Sequence, residues 1–477
     1  MKFLFGLLFL LTISSATFSQ LRSFNILSYG ARAGDGKDNS RALQKAIDAA
    51  ALHGGIVVVP AGRFVTAPIH LRSNVQLYLT DKAVLLGSTK RLDYGPGKAM
   101  ALISADSQRN ISITGKGTID GQGAELLKDI YRVLGDGSLK DAEWKTPNPW
   151  GQTRPEEKNR PKLIEFRNCD GIVIKGVTMT NGLDWIENYK NCTDLTIDSI
   201  TVISNVMWNN DGIDLVDCKK VRLTNSFFNA DDDGICLKSE SPDGRCEDIY
   251  ISHCTIRSSA SAFKLGTASR GRFSRITVRD LTIYDTYRSA IALETVDGAI
   301  LEDIDIRGIK ATNTGNAVFI RLGRRNRKAP AGELRHVYIG DVSVEVPAGK
   351  PDKGYDMEGP PVTFPHNVFP ASITGLPGHP VQDVTMENIE ITYPGGSSKE
   401  IALVSPDSLS RVPEQEADYP EFSMFGELPA SGLYARHLAG LRIKNCRLRY
   451  KTPDFRPAFI FDDVTGIALS GIDSNGN

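Results

Sequence analysis

Two short stretches concentrate the residue types that do chemistry. Asn209-Asn210-Asp211-Gly212-Ile213-Asp214 and Asp231-Asp232-Asp233-Gly234 place five carboxylates within 23 positions. Like charges held together raise one another's pKa and disfavour ionisation, so such a cluster is costly to keep. Carboxylates on stacked backbone suit glycosidic-bond hydrolysis: one, held protonated by its neighbours, donates to the leaving oxygen. Ionised partners activate water, which in an inverting enzyme calls for a separation of about 6.5–9.5 Å. Asp211 and Asp232 are 21 residues apart, so consecutive coils of a repeat would set one above the other, with Gly234 allowing a bend that turns Asp233 to the same side. Asn-Asp and Asp-Gly pairs are also ordinary turn formers. Residue type alone does not separate turn from catalyst; three adjacent aspartates, where a turn needs one, favour catalysis.

The elements that must position them repeat. From Ile111 onward, apolar-x-apolar units begin at Ile111, Ile172, Leu195, Val221, Ile249, Ile276, Ile304, Val337, Val384, Leu441 and Ile467. From Ile172 to Ile304 the steps are 23, 26, 28, 27 and 28 residues, then 33, 47 and 57 before returning to 26. Short β-rich units at this period indicate a solenoid. Leucine-rich repeats would show Leu dominance; here Ile, Val and Thr dominate, and Asn168-Cys169, Asn191-Cys192, Asp217-Cys218 and Asn445-Cys446 flank strands. The expected fold is all-β, a right-handed parallel β-helix of residues 20–477, with a helix over 41–52 capping its first coil. The long steps predict inserted loops near 124–162, 347–381 and 394–437, the usual builders of a cleft.

Residues 1–19 read as a secretory signal: Lys2, an apolar run from Phe3 to Leu11, and a small-x-small site at Thr17-Phe18-Ser19. The mature chain is therefore expected in a periplasm or outside the cell, without membrane insertion. With 56 basic against 57 acidic residues and no basic run, the chain has no electrostatic footprint for nucleic acid. Seven cysteines, an odd number with no CxxC or HExxH pairing, read as small interior residues rather than zinc ligands. No metal and no cofactor is expected, and nothing suggests an oligomer interface, so a monomer acting on a polysaccharide or oligosaccharide is the expectation.

On these motifs the sequence resembles glycoside hydrolase family 28, the polygalacturonases and rhamnogalacturonan hydrolases. Asn209-Asn210-Asp211 matches its Asn-x-Asp block, and Asp232-Asp233-Gly234-Ile235-Cys236-Leu237-Lys238-Ser239 its Asp-Asp block. Tyr29-Gly-Ala-Arg-Ala-Gly-Asp-Gly36, Gly115-Lys-Gly-Thr-Ile-Asp-Gly-Gln-Gly123 and Arg160-Pro-Lys-Leu-Ile-Glu-Phe166 are similar to its members too. The resemblance implies pectic glycan hydrolysis, with Asp232 as general acid and Asp211 with Asp233 activating water.

Two family blocks are altered, which makes the chain an atypical member. Ser261 stands where a Gly-His-Gly histidine is expected, and Ala292 and Glu294 stand at the Arg-Ile-Lys positions that hold a substrate carboxylate. An Ala cannot do that, and a Glu would repel the group. Three explanations follow: a neutral sugar linkage with Glu294 binding hydroxyls; a uronate held by Lys238, Lys264, Arg270, Arg288 or Arg321; or a chain that only binds. Glu294 reads equally as a structural partner of the lysines. Trp208, beside the carboxylates, is the leading stacking candidate among Trp144, Trp150, Trp185 and Trp208, and His366, His379 or His437 could replace the imidazole. Rivals from other classes are a calcium-dependent polysaccharide lyase and a non-catalytic carbohydrate-binding solenoid.

Overall fold

The computed structural model describes residues 22–147, 153–349, 351, 369–398 and 404–475. The signal segment, Trp150 and His366 lie outside them, as do parts of the three insertions. Every sheet pairing among the described strands is parallel, apart from isolated bridges.

The units read from the sequence form one continuous ladder. Ile111 pairs with Ile172, and the line runs on through Leu195, Val221, Ile249, Ile276, Ile304, Val337, Val384 and Leu441 to Ile467. Alternation along each strand sends both apolar members of a unit inward, so Ile172, Ile174, Leu195 and Ile197 are buried in a core that extends through the stack. Strands that join in parallel through crossovers wind right-handed. The fold is a right-handed parallel β-helix.

The Asn-Cys and Asp-Cys pairs explain how coils turn into that ladder. Asn168, Asn191, Asp217 and Asn445 adopt left-handed backbone with φ of 52–53°, a conformation that Asn and Asp tolerate. The following cysteine then points inward. Cys169, Cys192, Cys218 and Cys246 occupy one register position on successive coils, where strands lie about 4.8 Å apart. All seven cysteines are free thiols and buried.

Helix α1, Ser40–Ala51, lies where apolar spacing placed it and buries Leu43, Ala46, Ile47 and Ala50. A second helix, α2, Gly123–Gly135, corrects the reading of 124–162 as loop. Leu126, Ile130, Val133 and Leu134 are its buried face, an i, i+4, i+7, i+8 spacing present in the sequence.

Candidate active site

Turns on consecutive coils bring the aspartates together. Ile213 pairs with Ile235, a step of 22 residues, and Gly212 N–H donates to the Asp233 carbonyl at 2.9 Å. Asp211 therefore stacks on Asp233, while Asn210 precedes Asp232. This corrects the expected pairing of Asp211 with Asp232, because the coil is one residue longer than their separation. Gly234 is required for closeness rather than for a bend: a Cβ there would collide with the Ile256 side chain and the Ala262 carbonyl. Asn210 pins the first turn, its Oδ1 accepting from the Val206 and Met207 amides at 3.2 and 3.1 Å and its Nδ2 donating to the Asp184 carbonyl at 2.9 Å. Asn209 donates to Asp232 Oδ2 at 3.3 Å. Asn209 is in turn held by the buried Arg160, whose guanidinium reaches its Oδ1 at 3.0 Å and the Trp208 carbonyl at 2.5 Å.

Two buried lysines neutralise part of the cluster. Lys238 Nζ lies 2.7 Å from Asp211 Oδ2 and also binds Asp214. Lys264 Nζ lies 3.0 Å from Asp233 Oδ2 and 3.8 Å from Glu294 Oε2. Asp233 also accepts from the Ser261 amide at 3.1 Å. The carboxyls respond differently. Burial, then the charges of Asp211 and Asp233, push Asp232 up to about 7 against Arg288 and Lys264. Burial would raise Asp233 as well, yet Lys264, Lys238 and Arg288 outweigh it and hold that carboxyl below its ordinary value. Asp211 and Asp214 share one ammonium; burial raises both, Asp214 to about 6. Glu294 is pushed up to about 7 by burial, against the pull of Lys264.

The model of glycosyl hydrolases family 28 matches residues 54–410. The chain belongs to that family. A second model, of the rhamnogalacturonase A/epimerase, pectate lyase-like kind, matches residues 23–79. Over 265 residues the chain is 29% identical to an exo-poly-alpha-D-galacturonosidase of Dickeya chrysanthemi, an alignment covering 47% of this chain and 43% of that protein. It is 23% identical to a probable polygalacturonase of Vitis vinifera, covering 88% and 86%. In fold it is similar to a hyperthermoactive exopolygalacturonase of Thermotoga maritima, with a TM-score of 0.62 at 22% identity over 78% of this chain and 87% of that one. Family 28 comprises glycoside hydrolases, and the chain is a hydrolase of O-glycosyl bonds.

Within this family 28 chain the structure gathers Asp211, Asp232, Asp233, Lys238, Ser261, Lys264 and Glu294. Ser261 contributes its backbone amide to Asp233, and Glu294 faces Lys264 while accepting from Thr267 Oγ1 at 3.3 Å. Trp208 is half-buried, packs against the core and has the Arg154 guanidinium 5.9 Å from its ring centroid. Trp185 also adjoins the cluster: Lys238 Nζ, which binds Asp211 and Asp214, is 4.0 Å from its ring centroid. Among the other bases considered, Arg270 is exposed, and Arg321 donates to the carbonyls of Gly375, Glu414 and Gln415. Arg288 faces Asp232 and Asp233 from a buried position. His437 is held between Asp463 and Glu414, and His379 is exposed.

Sequence reasoning missed Tyr419 and Glu421. Both lie in the third insertion, more than 120 residues beyond Arg288 in the chain, yet Glu421 Oε2 is 3.7 Å from Arg288 Nε and the Tyr419 hydroxyl 3.4 Å from Lys264 Nζ. No local motif marks them; only the closure of the insertion over the sheet brings them in. Arg160 stood in a quoted motif, and its clamp on Asn209 had no sequence signal.

Proposed function

We propose that the chain is an exported, metal-independent, inverting hydrolase of pectic plant cell-wall glycans, acting at chain ends or on a side-chain linkage. The observation that carries this reading is the opposite bias on two adjacent carboxyls: Asp232 is pushed up to about 7 while Asp233 is held low. Divergent environments of this kind assign acid and base. In the reaction, Asp232 gives its proton to the glycosidic oxygen as the bond from C1 to that oxygen breaks. Water attacks C1 from the opposite face and passes a proton to Asp233, so the new hydroxyl has the inverted configuration. Asp211, tied to Lys238, orients that water.

A substrate carboxylate would be held by Arg288, the buried guanidinium that faces the reacting carboxyls. Glu294 does not oppose it, because Lys264 sits against Glu294 and its raised pKa lowers its charge. Removal of residues 1–19 and secretion of one solenoid, 20–477, as a monomer completes the reading. Proton NMR of the first product made from galacturonic acid oligomers tests the chemistry. Inversion is expected at the new reducing end; retention, or an unsaturated product absorbing in the ultraviolet, would sink the proposal and the latter would indicate a lyase.

A further inference from the structure

Four successive coils meet at one corner of the solenoid, since Ile164, Glu187, Ile213 and Ile235 share a register position. The turns just ahead of these residues carry Arg160, Leu183, Trp208 with Asn209, and Asp232 in that order. Arg160, only 1% exposed, runs along that corner across two coils. Its Nη1 donates to the Leu183 and Trp208 carbonyls at 3.0 and 2.5 Å, and its Nη2 donates to Asn209 Oδ1 at 3.0 Å. Asn209 Nδ2 then donates to Asp232 Oδ2 on the next coil at 3.3 Å.

This relay fixes which way the Asn209 amide faces. A guanidinium has donors and no acceptor, so only the amide oxygen can face Arg160, and the amide NH2 must face Asp232. On its other oxygen, Oδ1, Asp232 accepts from the Asp233 backbone amide at 3.0 Å. Both contacts are N–H donors, and neither can take a proton from Asp232. Without Arg160 the Asn209 amide is free to turn over and offer its carbonyl to the carboxylic acid, which would then spend its proton on the protein. A hydrogen bond of that kind favours the neutral form and makes the group a poorer acid.

We propose that Arg160 is a positioning residue for the general acid: through Asn209 it keeps an acceptor away from Asp232, so that the proton stays available to the glycosidic oxygen. The role rests on the hydrolase reading, in which Asp232 is that acid. The other charged groups that face Asp232 are Asp211, Asp233, Lys264, Arg288 and Arg154, and the test leaves all of them in place. Values of kcat and KM on galacturonic acid oligomers would be measured across pH for Arg160→Met and Asn209→Ala, alone and combined, and for Asn209→Asp, with melting curves to check folding.

Arg160→Met should lower kcat about tenfold at little change in KM and move the basic limb of the pH profile upward. Added to Asn209→Ala, where no amide is left to turn, the same change should cost less than about twofold and shift the limb no further. A raised KM at unchanged kcat would make Arg160 a substrate contact and overturn the proposal. So would an equal loss in both backgrounds, the mark of a role in folding or of charge acting directly, or no loss at all. Should Arg160→Met fail to fold, Asn209→Asp decides. It keeps an oxygen for Arg160 but turns a second one toward Asp232, so it should be slower than Asn209→Ala with the higher basic limb; the reverse order overturns the proposal. The acid reading fails separately, by an Asp232→Asn protein as active as wild type, and takes this role with it.

Discussion

Asp232 and Asp233 are sequence neighbours in opposite fields. Asp232 meets the charges of Asp211 and Asp233, whereas Asp233 meets Lys264 at 3.0 Å. The rate constant kcat/KM should therefore rise with pH below the ordinary carboxylate range, as Asp233 ionises, and fall through about 7 as Asp232 loses its proton. Lys264→Met removes the ion that holds Asp233 low, so the acidic limb of that profile should move to higher pH. The same shift bears on stability. Folding raises Asp232 from 3.8 to about 7, so between those values the folded chain keeps a proton that the unfolded chain has released. Its contribution is full below the lower value and is lost as pH rises through the upper one. Asp232→Asn, which carries no charge to bury, should raise Tm at pH 8 and leave it nearly unchanged at pH 4, as scanning calorimetry would show. An equal effect at both pH values would contradict the raised pKa.

At the scale of elements, the third insertion matters most. Arg321 anchors it through the Glu414 and Gln415 carbonyls at 2.7 and 3.1 Å, and Arg436 adds the Val412 carbonyl at 2.8 Å. This anchoring sets Tyr419 and Glu421 against Lys264 and Arg288. Arg321→Ala leaves the buried Gly375 carbonyl without its donor, at about 1–3 kcal/mol, and frees the half-buried Glu414 and Gln415 carbonyls; Tm should fall and KM should rise several-fold, and a raised kcat at unchanged KM would contradict the role given to the insertion. The strands were legible because apolar alternation at a period of one coil survives in the sequence, from Ile111 to Ile467. Helix α2 was equally legible in its spacing and was hidden by the long step around it. The stacking of Asp211 on Asp233 was not, since a one-residue difference in coil length changes which side chains align, and length is fixed by turn contacts such as those of Asn210. Tyr419 and Glu421 join the site by long-range closure, which no local pattern encodes.

Across the whole molecule, the cations nearest the cluster are the protein's own lysines. Asp211, Asp233 and Cys236 lie close enough to hold an ion among the described residues, but Lys238 and Lys264 place ammonium groups on those two carboxylates. Cations already in place repel another, and a chelator should leave activity unchanged; loss of activity, restored by calcium, would favour the lyase. The buried cysteine ladder gives a second global expectation: seven thiols should react with a thiol reagent only after unfolding, and fewer would indicate a disulfide. No helix among the described residues is long and apolar enough to cross a membrane. The central claim, that Asp232 is the proton donor of a pectic glycan hydrolase, is tested most directly by reducing-end release. Homogalacturonan, rhamnogalacturonan and neutral glycans would be treated with wild type and with Asp232→Asn. The account predicts release from at least one pectic glycan by wild type and a loss of about 100-fold or more in the variant; a variant that matches wild type on a glycan that is cut would contradict it.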